Sequence, residues 1–383
     1  MIHFGKPILD KSEKNNLTKI FKSGILTHGP EAEKFENDFT KLTKIKYSLT
    51  TSSCTSALLL SYMTINLKQG DEFIVPAQTH VATVNAGIFL GGKPIFVDSD
   101  QYTGNINIDL IEKKITKKTK CITIVHYLGK PVEIKKIKKL CKKYNLFLIE
   151  DCALALGAKY YKKHVGFYSD FACFSFYPAK HITTGDGGMV CCQNKKLFEK
   201  LKLLRGFGVD KNFRERKIPG KYDVKSFGLN FRMSDINASI GRMQLKKLPA
   251  FLKKRKENYK GLKKLLIKTK NISIIDSDSD KKLTSSHYAL ALKLDDSVSK
   301  FRDQIILELK KNNIGSSIYY PRIIPEYSYF KKKYQLNAKK YKFAKAISDK
   351  SICLPVAPHI RKSDLKIIFY KLTLILNSFI KKK

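Results

Sequence analysis

The chain has 383 residues, 43% of them hydrophobic, enough to bury one large core and a smaller one. It has no run of 18 apolar residues, and "MIHFGKPILDKSEKN" lacks the apolar stretch of a secretory signal; both point to a cytoplasmic protein with no membrane partner. The net charge of +41 raises nucleic-acid binding, but only 9 of the 74 basic residues are Arg and the Lys are spread along the whole chain, which favours a solvated, Lys-biased surface over base readout.

In chain order, apolar runs that read as strands are "YSLTTS" (47–52), "EFIVP" (72–76), "PIFVD" (94–98), "KCITIVH" (120–126), "LFLIED" (146–151), "FACFSFY" (171–177) and "GMVCCQ" (188–193). Between them "CTSALLLSYMTIN", "HVATVNAGIFLGG" and "VEIKKIKKLCKKYN" carry helical periods. This alternation predicts an α/β fold with a mostly parallel central sheet and helices on both faces. Ligands of such sheets sit beyond the carboxyl ends of the strands, so the residues just after each strand are the ones to inspect.

From about residue 245 the texture changes. A long basic helix ("LPAFLKKRKENYKGLKKLLIK") leads to the polar stretch "DSDSDKKLTSS", then to a strand ("HYALALKL"), a helix over about 298–312 and "IGSSIYYP". The expected organisation is a large α/β domain over 1–245, with an N-terminal arm, and a small α+β domain over 246–383.

The eight Cys form no CxxC pair and most lie in apolar runs, where a free Cys acts as a small buried hydrophobe. The eight His are scattered, so no metal is expected. "GIFLGGK" matches the start of a P-loop, but Pro94 follows it and the segment runs from helix to strand, the reverse of a P-loop.

Three strand ends carry the chemistry. "TTSSCTSA" places Ser52, Ser53, Cys54 and Thr55 where a strand ends and a helix opens, which suits either an ordinary N-cap or a phosphate. Asp151 ends a very apolar strand, where a carboxylate needs a cation or hydrogen bonds; it suits a helix N-cap, a metal ligand or a partner for a protonated ring nitrogen. Lys180 lies between the apolar "FACFSFYP" and "TTGDGG", read from its glycines as a flexible loop. Taken alone it is a surface lysine, whereas a lysine that forms a Schiff base must be partly buried to lose its proton. "GLNFRMSD" (228–235) adds Asn230, Arg232 and Asp235 with no evident purpose in a core. Together these supply a phosphate cradle, a carboxylate for a pyridinium and an amine for an aldehyde, the three partners of pyridoxal 5′-phosphate.

With those residues in view, the chain resembles the DegT/StrS-type sugar aminotransferases, which are fold type I enzymes dependent on pyridoxal 5′-phosphate. The resemblance is strong over about 1–260, in "SGILTHGPEAEKFENDF", "GDEFIVPAQTHVATVNAGIFLGGKPIFVD", "IVHYLGKPV", "LIEDCALALGA", "CFSFYPAKHITTGDGGMV" and "GLNFRMSDINASIGRMQLKKL". It implies that Lys180 is the catalytic Schiff-base lysine and proton carrier. Asp151 would hold the pyridine nitrogen protonated. Cys54, Thr55 and Ser175 would bind the phosphate, and His80 would stack on the ring. Asn230 would reach the phosphate from a partner subunit, which implies a homodimer with shared sites. His28, His181, Arg232 and Tyr320 are the substrate-side candidates, with His181 either structural or near the substrate.

Leu154 stands where the family commonly has Gln or His, Asp186 where Glu is usual, and "RIIPEY" replaces a His-containing segment. A related branch of 3-dehydratases reads "SFYPAHH", with His in place of this lysine. A histidine cannot form the imine, so Lys180 favours transamination. The expected function is amino transfer from glutamate to a nucleotide-linked keto sugar. A dehydratase of the same fold that kept its lysine, a catalytically idle binding protein and a nucleic-acid binder are the alternatives.

Overall fold

In the computed structural model, which describes residues 1–211, 215–276 and 282–380, the apolar runs of the first half become strands within a residue or two of where the pattern places them. They are β1 (Tyr47–Thr51), β2 (Glu72–Pro76), β3 (Lys93–Val97), β4 (Thr119–Val125) and β5 (Phe147–Asp151). A short hairpin, β6 (Lys159–Tyr160) and β7 (Lys163–His164), precedes β8 (Phe171–Ser175) and β9 (Gly188–Cys192). Seven strands form one sheet in the order β1-β9-β8-β5-β4-β2-β3. β2, β3, β4, β5 and β8 pair in parallel, and β2 is buried at every residue, as a sheet covered on both faces requires.

β9 alone runs against its neighbours β1 and β8. The segment joining β8 to β9, residues 176–187, contains no helix, and a parallel return needs a crossover. The chain therefore turns straight back, and that turn carries Lys180.

Helices α1 (Lys11–Ser23), α2 (Pro30–Thr43), α3 (Cys54–Thr64), α4 (Val81–Phe89), α5 (Ile134–Tyr144) and α6 (Lys195–Arg205) surround this sheet. In α5 only Ile134, Ile137 and Cys141 are buried, so its lysines form the solvated face that the periodicity implies. Seven of the eight free cysteines are buried and Cys54 is half-buried.

α7 (Asp235–Leu266) is a single 32-residue helix, and residue 245 falls inside it. Its first half packs on α1 and α2. Its second half puts Tyr259, Leu262 and Leu266 into a separate core. That core is closed by an antiparallel sheet of β10 (Ile272–Ile275), β12 (Leu290–Leu294) and β13 (Ser351–Leu354), with β11 (Leu283–Thr284) pairing instead with β6. The single helix expected near 298–312 is two, α8 (Asp296–Ser299) and α9 (Arg302–Lys311). Of the polar stretch before β12, residues 277–281 lie outside the described residues.

The chain then returns to the large sheet before α10 (Ser328–Tyr334), α11 (Lys342–Lys350) and α12 (Lys362–Ile380). Ile323, Ile324, Phe330 and Ala344 bury in the core beside α3 and β2, and the Ile324 N–H donates to the Ala77 carbonyl at 2.8 Å. This return brings Tyr319 and Tyr320 to the carboxyl edge of the sheet. There the Tyr319 carbonyl accepts from Tyr127 Oη (2.7 Å) and Gln78 Nε2 (3.2 Å).

Candidate active site

Three of the predicted residues meet at one place because three strand ends meet there. Asp151 is the last residue of β5, only 5% exposed. Its Oδ1 accepts from the Ala153 N–H at 3.0 Å and its Oδ2 from the Thr83 hydroxyl at 2.8 Å. Lys180 hangs in the turn after β8, its Nζ 5.5 Å from the centre of the Tyr288 ring. Burial pushes the Lys180 amine below the usual lysine range, while Cys54 and Asp151 pull it back up. Burial and Asp151 in turn drive the Cys54 thiol well up. Amine, carboxylate and the opening of α3 thus share one electrostatic neighbourhood.

α3 starts at Cys54 with Ser53 as N-cap, whose Oγ accepts from the Ser56 N–H at 3.0 Å. Cys54 and Thr55 lead the helix, so their N–H groups have no carbonyl ahead of them inside it. The backbone of β9 closes on this end: a Cβ at Gly188 would lie 2.5 Å from the Ser53 carbonyl carbon and oxygen. Ser175 sits opposite Gly188 in the sheet, and its Oγ accepts from the Tyr177 N–H at 3.4 Å.

The turn bearing Lys180 is braced, contrary to the flexible loop read from its glycines. The Lys180 N–H donates to the Tyr177 carbonyl at 2.9 Å, and the Thr183 hydroxyl to the Phe176 carbonyl at 3.0 Å. From the first turn of α7, Asn237 Nδ2 donates to the Thr184 carbonyl at 2.6 Å and the Asp186 carbonyl at 3.1 Å. Gly187 and Gly188 serve close approach and Gly185 a left-handed backbone, so the turn holds a fixed shape.

The other predicted residues divide. His80 caps α4, its Nδ1 accepting from the Ala82 N–H at 3.2 Å, and its ring lies 6.1 Å from that of Tyr320. Tyr320 is buried, and burial with Asp151 as neighbour pushes its phenol well up. His28 and Arg232 are in a basic group with Arg205 and Arg216: burial and these neighbours lower both His28 and Arg232. The strand-like segment holding Arg232 touches the chain just before the opening of α3, since the Ser52 N–H donates to the Phe231 carbonyl at 2.8 Å. Asn230 is exposed on that segment, its Oδ1 accepting from the Arg232 N–H at 3.3 Å.

Of the two readings of His181, structural or near the substrate, its position supports the structural one. It is 3% exposed, its Nε2 paired with the Ser286 carbonyl at 3.2 Å, and burial with Arg255 behind it holds it neutral. Facing inward, it anchors the turn to the segment before β12.

The chain matches the model of the DegT/DnrJ/EryC1/StrS aminotransferase family over residues 7–373. It belongs to that family. GDP-perosamine synthase of Vibrio cholerae is 31% identical over 346 residues, 87% of this chain and 89% of that one. GDP-perosamine synthase of Escherichia coli O157:H7 is 40% identical over 253 residues, 66% and 68% of the two chains. The structure of Helicobacter pylori PseC, an aminotransferase of pseudoaminic acid biosynthesis, superposes with a TM-score of 0.91 at 29% identity, covering 98% of this chain and 99% of that one. The chain is therefore an enzyme of the transaminase class, with the α/β fold read from its pattern.

Membership of the DegT/DnrJ/EryC1/StrS family implies pyridoxal 5′-phosphate, and the residues present fit it. Gly188 keeps the opening of α3 clear for a phosphate, Asp151 offers a fixed carboxylate, and Lys180 offers an amine whose proton is weakly held. Sequence reasoning missed Thr83, Tyr288 and Arg255. Thr83 lies three residues after His80 in the first turn of α4, a spacing that could have drawn notice. Tyr288 and Arg255 are more than 70 residues from Lys180 along the chain, and nothing local marks them. Arg255 is buried, donates from Nη1 to the Tyr288 carbonyl at 3.0 Å and lies 5.8 Å from the ring centre of the same tyrosine. Both cations therefore lean on one aromatic ring.

Among the described residues, His126, Glu150 and Cys152 are the one group of His, Cys and acid side chains close enough to share an ion. Their hydrogen bonding points elsewhere. The Val132 N–H donates to His126 Nδ1 at 3.1 Å, so the ring proton sits on Nε2 and is given to Glu150 Oε2 at 2.8 Å. A metal on Nε2 would set two N–H groups against each other at Nδ1.

Proposed function

We propose that the protein transfers the amino group of glutamate to the ketone of a nucleotide-linked sugar, using pyridoxal 5′-phosphate. The observation that supports this most is the meeting of Lys180, Asp151 and the opening of α3 at one sheet edge, inside a family of aminotransferases. The cofactor, when bound, supplies a carbonyl for the amine and a ring that takes up electrons. The N–H groups of Cys54 and Thr55, with Ser175, would bind its phosphate. Asp151, held by Thr83 and Ala153, would keep a proton on the ring nitrogen. Lys180 would carry the proton that moves when the amino group is handed on, a role its lowered basicity suits. His80 would cover the ring, and Tyr320 with Tyr288 would keep water from the reacting side.

On this reading the basic group of His28, Arg205, Arg216 and Arg232 receives the nucleotide's phosphates, and the positive field of the whole chain draws the anionic substrate in. The enzyme would work in the cytoplasm as a homodimer, with exposed Asn230 serving the partner's site. A panel of nucleotide-linked keto sugars incubated with glutamate and read by mass spectrometry tests the proposal. Amination of at least one sugar is expected, with 2-oxoglutarate formed in equal amount. Loss of a hydroxyl without amination would point to the dehydratase instead.

A further inference from the structure

The Asp151 carboxylate is not held by backbone alone. Thr83 Oγ1 donates to its Oδ2 at 2.8 Å, and Thr79 Oγ1 lies 2.7 Å from Thr83 Oγ1. A hydroxyl has one hydrogen, and that of Thr83 is spent on the carboxylate. Thr79 must therefore be the donor to Thr83. The two hydroxyls form a chain polarised toward Asp151, which strengthens the final bond. Thr83 is fully buried and Thr79 nearly so, so water does not compete for either.

This chain meets a real electrostatic problem. Around Asp151 stand Cys54 and Tyr62 from α3, Cys152 just after β5, Cys173 from β8 and Tyr320 from the C-terminal return; burial raises all five acids, and Asp151 raises each of them further. His80 and Lys180 are the bases within its reach, and burial lowers both. The pocket thus disfavours charge generally, and a carboxylate buried in it depends on hydrogen-bond donors such as Thr83.

We infer that Thr83, backed by Thr79, is the positioning residue that orients Asp151, giving its carboxylate a hydrogen bond where water does not reach. The inference rests on the reading of Asp151 as the partner of the cofactor's ring nitrogen. Removing a donor to a carboxylate makes the carboxylate easier to protonate, so the ionised form is lost at a higher pH.

The test is the pH dependence of pyridoxal 5′-phosphate binding to the full chain in a Lys180→Ala background, which removes the titration of the amine. The ligand's own titrations are common to all variants, so only differences between them are read. Thr83→Val should move the acid limb of binding up by about one pH unit, the scale of a hydrogen bond to a charged group. Thr83→Ser should restore the limb, and Thr79→Val should move it in the same direction by less. Should Thr83→Val not fold, as judged by circular dichroism, Thr79→Val and Thr83→Ser carry the comparison. A folded Thr83→Val whose limb coincides with that of Thr83→Ser, or in its place a Thr79→Val with an unmoved limb, overturns the inference and leaves the cofactor reading standing. Failure of the chain with Lys180 intact to bind the cofactor at any pH overturns both.

Discussion

Asp235, the first residue of α7, holds Gly29 at the start of α2: its Oδ2 accepts from the Gly29 N–H at 2.6 Å and its Oδ1 from the Glu31 N–H at 2.7 Å. Its own N–H donates to the Leu26 carbonyl at 2.9 Å, so one residue ties the loop bearing His28 to the segment bearing Arg232. Asp235→Ala should cost about 2 kcal/mol in urea unfolding, the scale of losing a helix cap and leaving buried N–H groups unpaired. Gly29→Ala should destabilise by a similar amount, because its Cβ would stand 2.7 Å from that carboxylate. Stability of both variants within experimental error of the parent would refute the cap.

The lowered basicity of Lys180 has a sign that can be measured without turnover. Burial disfavours its charged form, so its neutral amine is present at lower pH than that of exposed lysines. In cofactor-free protein, acylation of Lys180 followed by peptide mass spectrometry should show a midpoint below those of exposed lysines. Lys180→Arg, always protonated, should lower amino transfer by roughly a thousand-fold or more. A Lys180 midpoint equal to that of the surface lysines would remove the physical basis of its role.

Gly188 is where two backbones touch. A methyl group there would sit 2.5 Å from Ser53 carbonyl atoms and 2.6 Å from the Cys54 nitrogen, and neither can rotate away. Gly188→Ala should push β9 from the opening of α3 and weaken cofactor binding at least about ten-fold, given how steeply binding depends on placement. Gly185→Ala provides the contrast. Gly185 is left-handed, at φ +86°, yet a methyl group added there would stand 3.6 Å from its nearest neighbour, so the cost is strain without collision. Equal cofactor affinity in Gly188→Ala and the parent would reject the close-approach account.

His164 makes the fold acid-sensitive. It is buried, its Nε2 accepts from the Gly157 N–H at 2.8 Å, and its Nδ1 gives its proton to the Val165 carbonyl at 2.7 Å. Both nitrogens are thereby committed to the neutral ring, and burial pulls its pKa down to about 4. Between the unfolded value near 6.5 and about 4, the unfolded chain binds a proton that the folded one refuses. Stability contributed by the neutral ring is therefore lost as pH falls through that window, by up to about 3 kcal/mol. Urea unfolding at pH 7 and pH 5 should show this slope, and His164→Gln should flatten part of it. An unchanged slope in His164→Gln would assign the acid sensitivity to other groups.

The seven strands of the large sheet and the helices α3, α4 and α5 were legible because each is local: Val, Ile and Phe in short runs bounded by turns leave few other readings, and β2 matches its pattern residue for residue; α1, α2 and α6 were not read from the pattern. Asp151 and Lys180 stood out as candidates for a related reason, since Asp151 ends an apolar strand, Lys180 lies in the turn after another, and a parallel sheet gathers such ends at one edge. The direction of β9 was readable only with hindsight, from the missing crossover before it. His181 shows the limit, since neighbouring positions in a turn can face opposite ways: Lys180 reaches the pocket while His181 turns into the core.

By itself, the order of residues determined the α/β pattern, the family and the candidate amine, carboxylate and phosphate end, since these depend on periodicity and on residues within a few positions of one another. Tertiary structure alone decided that Thr83 holds Asp151, that Tyr288 and Arg255 back Lys180, that Asp235 caps a helix about 200 residues away, and that the C-terminal return delivers Tyr320. The reason is physical. A hydrogen bond or a buried cation depends on the positions of atoms in space, and packing of the whole chain sets those positions however far apart the residues lie in sequence.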